Sequence, residues 1–135
     1  MVKVILGEKG TGKTKALLDS VHEAVNSEKG SVVFINNGNR HIYDVSHKIR
    51  LVDTGEFALK TYDAFYGLLC GIVAQNFDVS YIFIDSLLKI VDGDAAEMEE
   101  FLDKANALCE KFDIQMAITI SINPANVSEK VKAYA

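Results

Sequence analysis

The chain has little of several things, and each shortage excludes something. It carries two cysteines, Cys70 and Cys109, far apart and without metal-ligand spacing. Both fall in apolar helical patterns, which points to reduced core thiols of a cytosolic protein, not a disulfide framework. It has two arginines, Arg40 and Arg50, and a formal net charge of −5. An acidic chain repels nucleic-acid phosphates, so non-specific nucleic-acid binding is disfavoured. There is one proline, Pro124, and no repeat, linker or low-complexity segment. No apolar run approaches the roughly 20 residues of a membrane span. The first apolar run is too short for a signal peptide. The expectation is a soluble, cytoplasmic protein.

What is there suits one globular domain. The 135 residues are 49% hydrophobic and 24% charged, enough to bury a core without covalent staples. Val2 to Leu6 reads as a buried strand ended by Gly7. Residues 13–27 read as a helix, with Leu17, Val21, Ala24 and Val25 on one face and a stop at Lys29-Gly30. Ser31 to Ile35 is a second strand, broken by the turn residues Asn36-Asn37-Gly38-Asn39. Residues 40–48 are ambiguous, with a short helix as one reading, and Arg50 to Asp53 is a short strand. Residues 61–76 read as a helix weakened by Gly67 and Gly71, whose spacing would also allow close packing on a sheet. Tyr81 to Ile84 is a strand ending at Asp85, residues 94–112 an acidic amphipathic helix, and Met116 to Ile122 the last strand. Strands alternating with helices mean βαβ units and a mostly parallel sheet covered on both faces. With right-handed crossovers this is an α/β fold, a three-layer α/β/α sandwich.

Residues 7–14 read Gly7-Glu8-Lys9-Gly10-Thr11-Gly12-Lys13-Thr14 and match G-x-x-x-x-G-K-[ST] at every fixed position. The spacing suits phosphate. Glycines let the loop turn its N–H groups inward, and the helix that follows, from Lys13 and Thr14 through Lys15, points its positive end at the anion. Lys13 can reach the β- and γ-phosphates, and Thr14 can place its hydroxyl on Mg²⁺. The bland alternative is a glycine-rich turn that binds nothing. The lysine at position 9 is third in the loop, whereas the deviant loop of the partition-type ATPases carries its signature lysine second, where Glu8 stands.

Asp85 ends an apolar strand, and ligands of open α/β sheets bind at that edge. A carboxylate there can hold Mg²⁺ opposite Thr14. It could instead cap the segment after it. Nothing matches the N-K-x-D element that reads guanine, which favours ATP.

Three stretches carry a resemblance. Ile84-Asp85-Ser86-Leu87-Leu88 resembles the Walker B end of the bacterial RecA recombinase core and its relatives among replicative helicases and clock ATPases. Asp53-Thr54-Gly55-Glu56-Phe57-Ala58-Leu59, then Tyr62-Asp63-Ala64, is similar to the D-T-G-E-x-A-L…D-A segment of RecA. Ile120 to Asn123 resembles the strand that carries the family's nucleotide sensor. The resemblance implies a minimal P-loop NTPase of RecA-like type that binds ATP with Mg²⁺. It also implies that Tyr43 stands near where RecA stacks an aromatic ring on adenine. The family commonly completes its site across subunits with Arg or Lys. Here Arg40, Arg50 or a lysine would serve, in a homo-oligomer or with a protein partner.

The departures bear on catalysis. The family's second strand ends F-I-D-A-E, with a water-polarising glutamate, but Phe34-Ile35-Asn36-Asn37-Gly38 has no carboxylate. No glutamate follows Asp85, and Pro124 stands at the sensor glutamine position. The DNA-binding loops and C-terminal domain have no counterpart, so recombination is unsupported. Glu56, Asp53 and Glu8 remain as water-activating candidates, and Asn36 and Asn37 could position water as an amide. The named catalytic candidates are therefore Lys13, Asn37 and Glu56. His22, His41 and His47 are scattered and take no catalytic role. Asp92, Asp94, Glu97, Glu99, Glu100 and Asp103 read as a solvated acidic face or, less simply, as a dock for a basic partner. The leading expectation is a slow or partner-activated ATPase. A non-catalytic nucleotide-dependent binding module and a small nucleoside or nucleotide kinase are the alternatives.

Overall fold

A computed structural model describes residues 1–38 and 48–135 of the chain. The short helix considered at 40–48 thus lies almost wholly outside the described residues, as do Arg40, His41, Tyr43 and His47. Five strands form one sheet: β1 (Val2–Gly7), β2 (Ser31–Asn36), β3 (Arg50–Asp53), β4 (Val79–Ile84) and β5 (Gln115–Ser121). Their order is β1-β5-β4-β2-β3, and every strand pair is parallel. The sequence expectation of a parallel α/β sheet therefore holds. β4 begins two residues earlier than the apolar run Tyr81–Ile84 suggests, because Val79 pairs with Ser31.

The sheet is buried on both sides because its strands are apolar at successive positions. Val33 and Ile35 enter a core with Phe65 and Leu69 of α2 (Tyr62–Gln75) and with Phe101 and Leu102 of α4 (Ala95–Phe112). Val32 and Phe34 enter a separate core with Leu17, Val21 and Ala24 of α1 (Lys13–Ser27). The alternation of side chains along β2 sends the two pairs to opposite faces. Phe65 is fully buried, with its ring 5.7 Å from that of Phe101. Burial of such a side chain contributes about 1.5–3 kcal/mol.

Two helix starts follow from their caps. Thr61 accepts a bond from the Ala64 N–H at 3.1 Å and starts α2. At α4, Asp94 accepts from the Glu97 N–H at 2.8 Å while Glu97 accepts from the Asp94 N–H at 3.4 Å, a capping box. Part of the acidic run thus has a local structural use. Gly67 and Gly71 do not mediate close packing: a Cβ on either would meet nothing within 4 Å. Both lie on the exposed side of α2, and the apolar residues at 65, 69 and 73 make the sheet contact instead.

The C-terminal segment was not foreseen as structured. After a turn at Pro124–Asn126, a short helix precedes Tyr134, whose carbonyl accepts the Val4 N–H at 2.8 Å on the open edge of β1. The Tyr134 hydroxyl donates to Asp103 at 2.7 Å, and the Lys130 ammonium stands 2.5 Å from the same carboxylate. Those partners hold the Asp103 carboxyl below its ordinary range. Cys70 and Cys109 are both free, and burial pushes the Cys109 thiol up. Among the described residues no helix is long and apolar enough to cross a membrane.

Tyr62 is 3% exposed, and its hydroxyl has no hydrogen-bond partner among the described residues. Burial, then Glu97, Asp92 and Asp94, push its pKa from 10.0 to about 12. A raised pKa means stability that is whole below pH 10 and is lost as pH climbs towards 12. Tyr62→Phe removes the unsatisfied group, so it is expected to raise stability by about 1 kcal/mol at pH 7. Urea unfolding at pH 7, 9 and 11 checks this: the gap in favour of the variant should widen only above pH 10.

Candidate functional site

Residues 8–12 connect β1 to α1, at the carboxyl edge of the parallel sheet. Gly10 and Gly12 have φ of 87° and 85°, the left-handed region that disfavours side chains. The Thr11 hydroxyl donates to the Glu8 carbonyl at 2.8 Å and closes the loop on itself. The Lys13 ammonium donates to the same carbonyl at 2.8 Å and lies 3.5 Å from the Thr11 hydroxyl. Lys13 is only 9% exposed, so its charge is held inside the curl of the loop. Gly12 is the N-cap of α1 and offers no side-chain cap. The first-turn N–H groups therefore depend on another acceptor, and the helix dipole favours an anion.

Thr14, in the first turn of α1, meets Asp85 at the end of β4. Its hydroxyl lies 3.1 Å from Asp85 Oδ1 and 3.2 Å from Oδ2, across 71 residues of sequence. Asp85 is fully buried. Its N–H donates to the Ile35 carbonyl at 2.9 Å. From β5, the strand between β1 and β4, the Thr119 hydroxyl donates to Asp85 Oδ1 at 2.8 Å and accepts the Ser86 N–H at 2.7 Å. The N-cap position considered for Asp85 falls on its neighbour: Ser86, at φ 60°, precedes the four-residue helix α3 (Leu87–Ile90) and gives it no side-chain cap bond.

Thr14 and Ser86 belong to the wall of a recess of about 260 Å³ that Lys9, Lys13, Lys15 and Lys89 also line. A second, more open space of about 580 Å³ lies along the loop beside Glu8, Thr11, Asn123 and Pro124. The donor set suits Mg²⁺, a hard cation that takes oxygen ligands, keeps waters and shares substrate phosphates. The Thr14 hydroxyl supplies one such oxygen, and the Asp85 carboxylate beside it could hold the ion through water. Among the described residues no group of three or more His, Cys, Asp or Glu could hold a metal, so the remaining ligands would come from phosphate and water.

Other candidates from the sequence stand apart or are engaged. Asp53 Oδ1 accepts the Gly38 N–H at 2.7 Å and the Gly55 N–H at 2.8 Å, so it shapes a turn. Glu56 is exposed and lines, with Asp53 and Arg50, a different cavity of about 590 Å³ between β3 and α2. The Asn37 amide donates to the Lys89 carbonyl at 3.0 Å. Asn36 is buried, its backbone carbonyl accepting the Thr54 hydroxyl at 3.2 Å, while its side-chain nitrogen has no partner among the described residues. Sequence reasoning missed Thr119, Ser86 and Lys89. Thr119 looks like any β-branched strand residue within Met116–Ile122, and Lys89 like any surface lysine.

No protein-family model matches the chain, and no curated protein sequence matches it.

The left-handed backbone at Gly12 can be tested apart from any ligand. Gly12→Ala is expected to lower stability by about 1–2 kcal/mol, the cost of a Cβ in that region. Chemical denaturation gives the value. A loss near zero would mean that the loop has another accessible conformation.

Proposed function

We propose that this chain is a P-loop nucleotide-binding protein of RecA-like type that binds ATP with Mg²⁺ and turns it over slowly or on activation by a partner. The observation that carries the reading is the meeting of Thr14 and Asp85 at 3.1 Å. A loop that matches the phosphate consensus at every fixed position and a strand-end carboxylate are remote in sequence and adjacent in space.

On this reading the N–H groups of the loop and first helical turn hold the phosphates. Lys13 exchanges its bond to the Glu8 carbonyl for phosphate oxygens. Thr14 would hold the metal directly and Asp85 would hold it through water. The metal, when bound, neutralises charge that develops on the transferring phosphoryl group. Lys9, Lys15 and Lys89 add positive potential around the recess. Adenine follows from the absence of a guanine-reading element, with Tyr43 as the stacking candidate.

The reading of a non-catalytic, nucleotide-dependent binding module is favoured by one feature: residues 36–38 carry no carboxylate. Among the described residues, no acid other than Asp85 is bonded into the network around Thr14. Binding without groups specific to the transition state does not speed the chemistry.

ATP with Mg²⁺ is expected to raise the melting temperature, since a ligand of the folded state adds stability by mass action. Lys13→Ala should largely abolish the shift. Thr14→Ala and Asp85→Asn should weaken Mg²⁺-dependent binding more than metal-free binding. An unchanged shift in Lys13→Ala would remove the assignment of the loop.

Turnover is expected to be slow for a monomer and to rise with protein concentration if a neighbour completes the site. A finger supplied in trans can add roughly 10³ to 10⁵ in rate. Phosphate release measured across protein concentrations checks this, and Arg40→Ala or Arg50→Ala should remove any gain while leaving binding intact. Turnover on the order of 10 per second from a proven monomer would overturn it.

A further inference from the structure

We infer that Thr119 is the positioning residue of the metal site: it orients the Asp85 carboxylate and pins the strained turn at Ser86 with one hydroxyl. The inference rests on the nucleotide-binding reading above and concerns a residue that no part of the P-loop consensus contains.

The geometry fixes the direction of the proton. The Ser86 N–H can only donate, and it lies 2.7 Å from Thr119 Oγ1. That oxygen therefore accepts from Ser86, and its single proton goes to the carboxylate, 2.8 Å away at Asp85 Oδ1. Thr119 is 1% exposed, so water does not compete for either bond. A β-branched side chain on a strand has little freedom about χ1, and β5 is paired on both sides, with Ile5 opposite Thr119. The hydroxyl is thus a fixed point in the sheet.

Two consequences follow. Thr119 holds Asp85 Oδ1 at 2.8 Å, while the Thr14 hydroxyl lies against both carboxylate oxygens, 3.1 Å from Oδ1 and 3.2 Å from Oδ2. The carboxylate is presented in one orientation. Ser86, meanwhile, lies at φ 60° and ψ 63°, a left-handed conformation that is strained for a residue with a Cβ. Its bond to Thr119 holds that turn, and the turn carries Ser86 to the wall of the recess that Lys13 and Thr14 line.

The test compares ADP affinity with Mg²⁺ and in EDTA, by titration calorimetry, for four proteins: wild type, Thr119→Val, Thr119→Ser, and Thr119→Val combined with Ser86→Gly. Valine keeps the shape and removes the hydroxyl. Glycine at 86 adopts the left-handed turn without help, so the double variant regains stability lost through strain. The gain in affinity conferred by Mg²⁺ should fall about 10- to 100-fold in Thr119→Val, as for removal of other partners that orient metal ligands. Metal-free ADP affinity should stay within about twofold. Thr119→Ser should restore the gain; the double variant should melt near wild type and still lack it. If Thr119→Val does not fold, the double variant decides alone. Full Mg²⁺ dependence in either valine-containing protein, or its recovery by Ser86→Gly, would reduce Thr119 to a structural role and overturn the inference. A wild type that binds no ADP under either condition would instead remove the nucleotide reading, and this inference with it.

Discussion

A carboxylate with no exposure to solvent is the constraint around which the carboxyl edge of this sheet is arranged. Burying a carboxyl group is costly unless hydrogen bonds replace its water. Asp85 meets that demand with hydroxyls from two elements, Thr14 of α1 and Thr119 of β5, and with its own N–H on the β2 carbonyl of Ile35. Each bond ties Asp85 to a different part of the chain. The strand order makes this possible, since β5 lies between the strand that leads into the loop and the strand that ends in Asp85.

Features set by neighbouring residues were legible in the sequence. The apolar strands, the turn residues after Ile35 and the phosphate-loop consensus are all local and lie close to where the sequence places them, whereas the capping use of Asp94 and Glu97 was not foreseen. The parallel sheet followed from the alternation of elements. Features that depend on which strands become neighbours were not legible. Thr119 contacts Asp85 across 34 residues and Ser86 across 33, and its letter alone suits an ordinary strand. The cover of β1 by Tyr134 is invisible for the same reason: a main-chain bond carries no side-chain signature. The reading of Gly67 and Gly71 as close-packing positions failed because helical phase, set by Phe65, Leu69 and Val73, turns both glycines outward.

The acidic face of α4 shows how a charge run divides once it is folded. Asp94 and Glu97 cap the helix start, and Asp103 is held by Tyr134 and Lys130 from the C-terminal segment. That segment also closes the edge of β1. An exposed strand edge invites pairing with another chain, so these contacts limit where a second copy could add. The opposite edge, β3, has no such cover among the bonds of the described residues.

The site's polar groups also bear on what the proposed nucleotide chemistry lacks. Asp53 is engaged by two backbone N–H groups and Asn37 by the Lys89 carbonyl. Asn37 ties β2's end to the Lys89 wall of the recess and Asp53 shapes the turn at the neighbouring cavity, and moving either to a water would release those contacts. Glu56 and Arg50 face another cavity. The groups gathered near Lys13 are donors and cations, which suit a bound polyphosphate in its ground state. Acceleration requires interactions that strengthen only as charge moves to the transition state. On the proposed reading grip and turnover would separate: the first would be built from β1, α1, β4 and β5, and the second would call for a group brought to the recess from outside those elements.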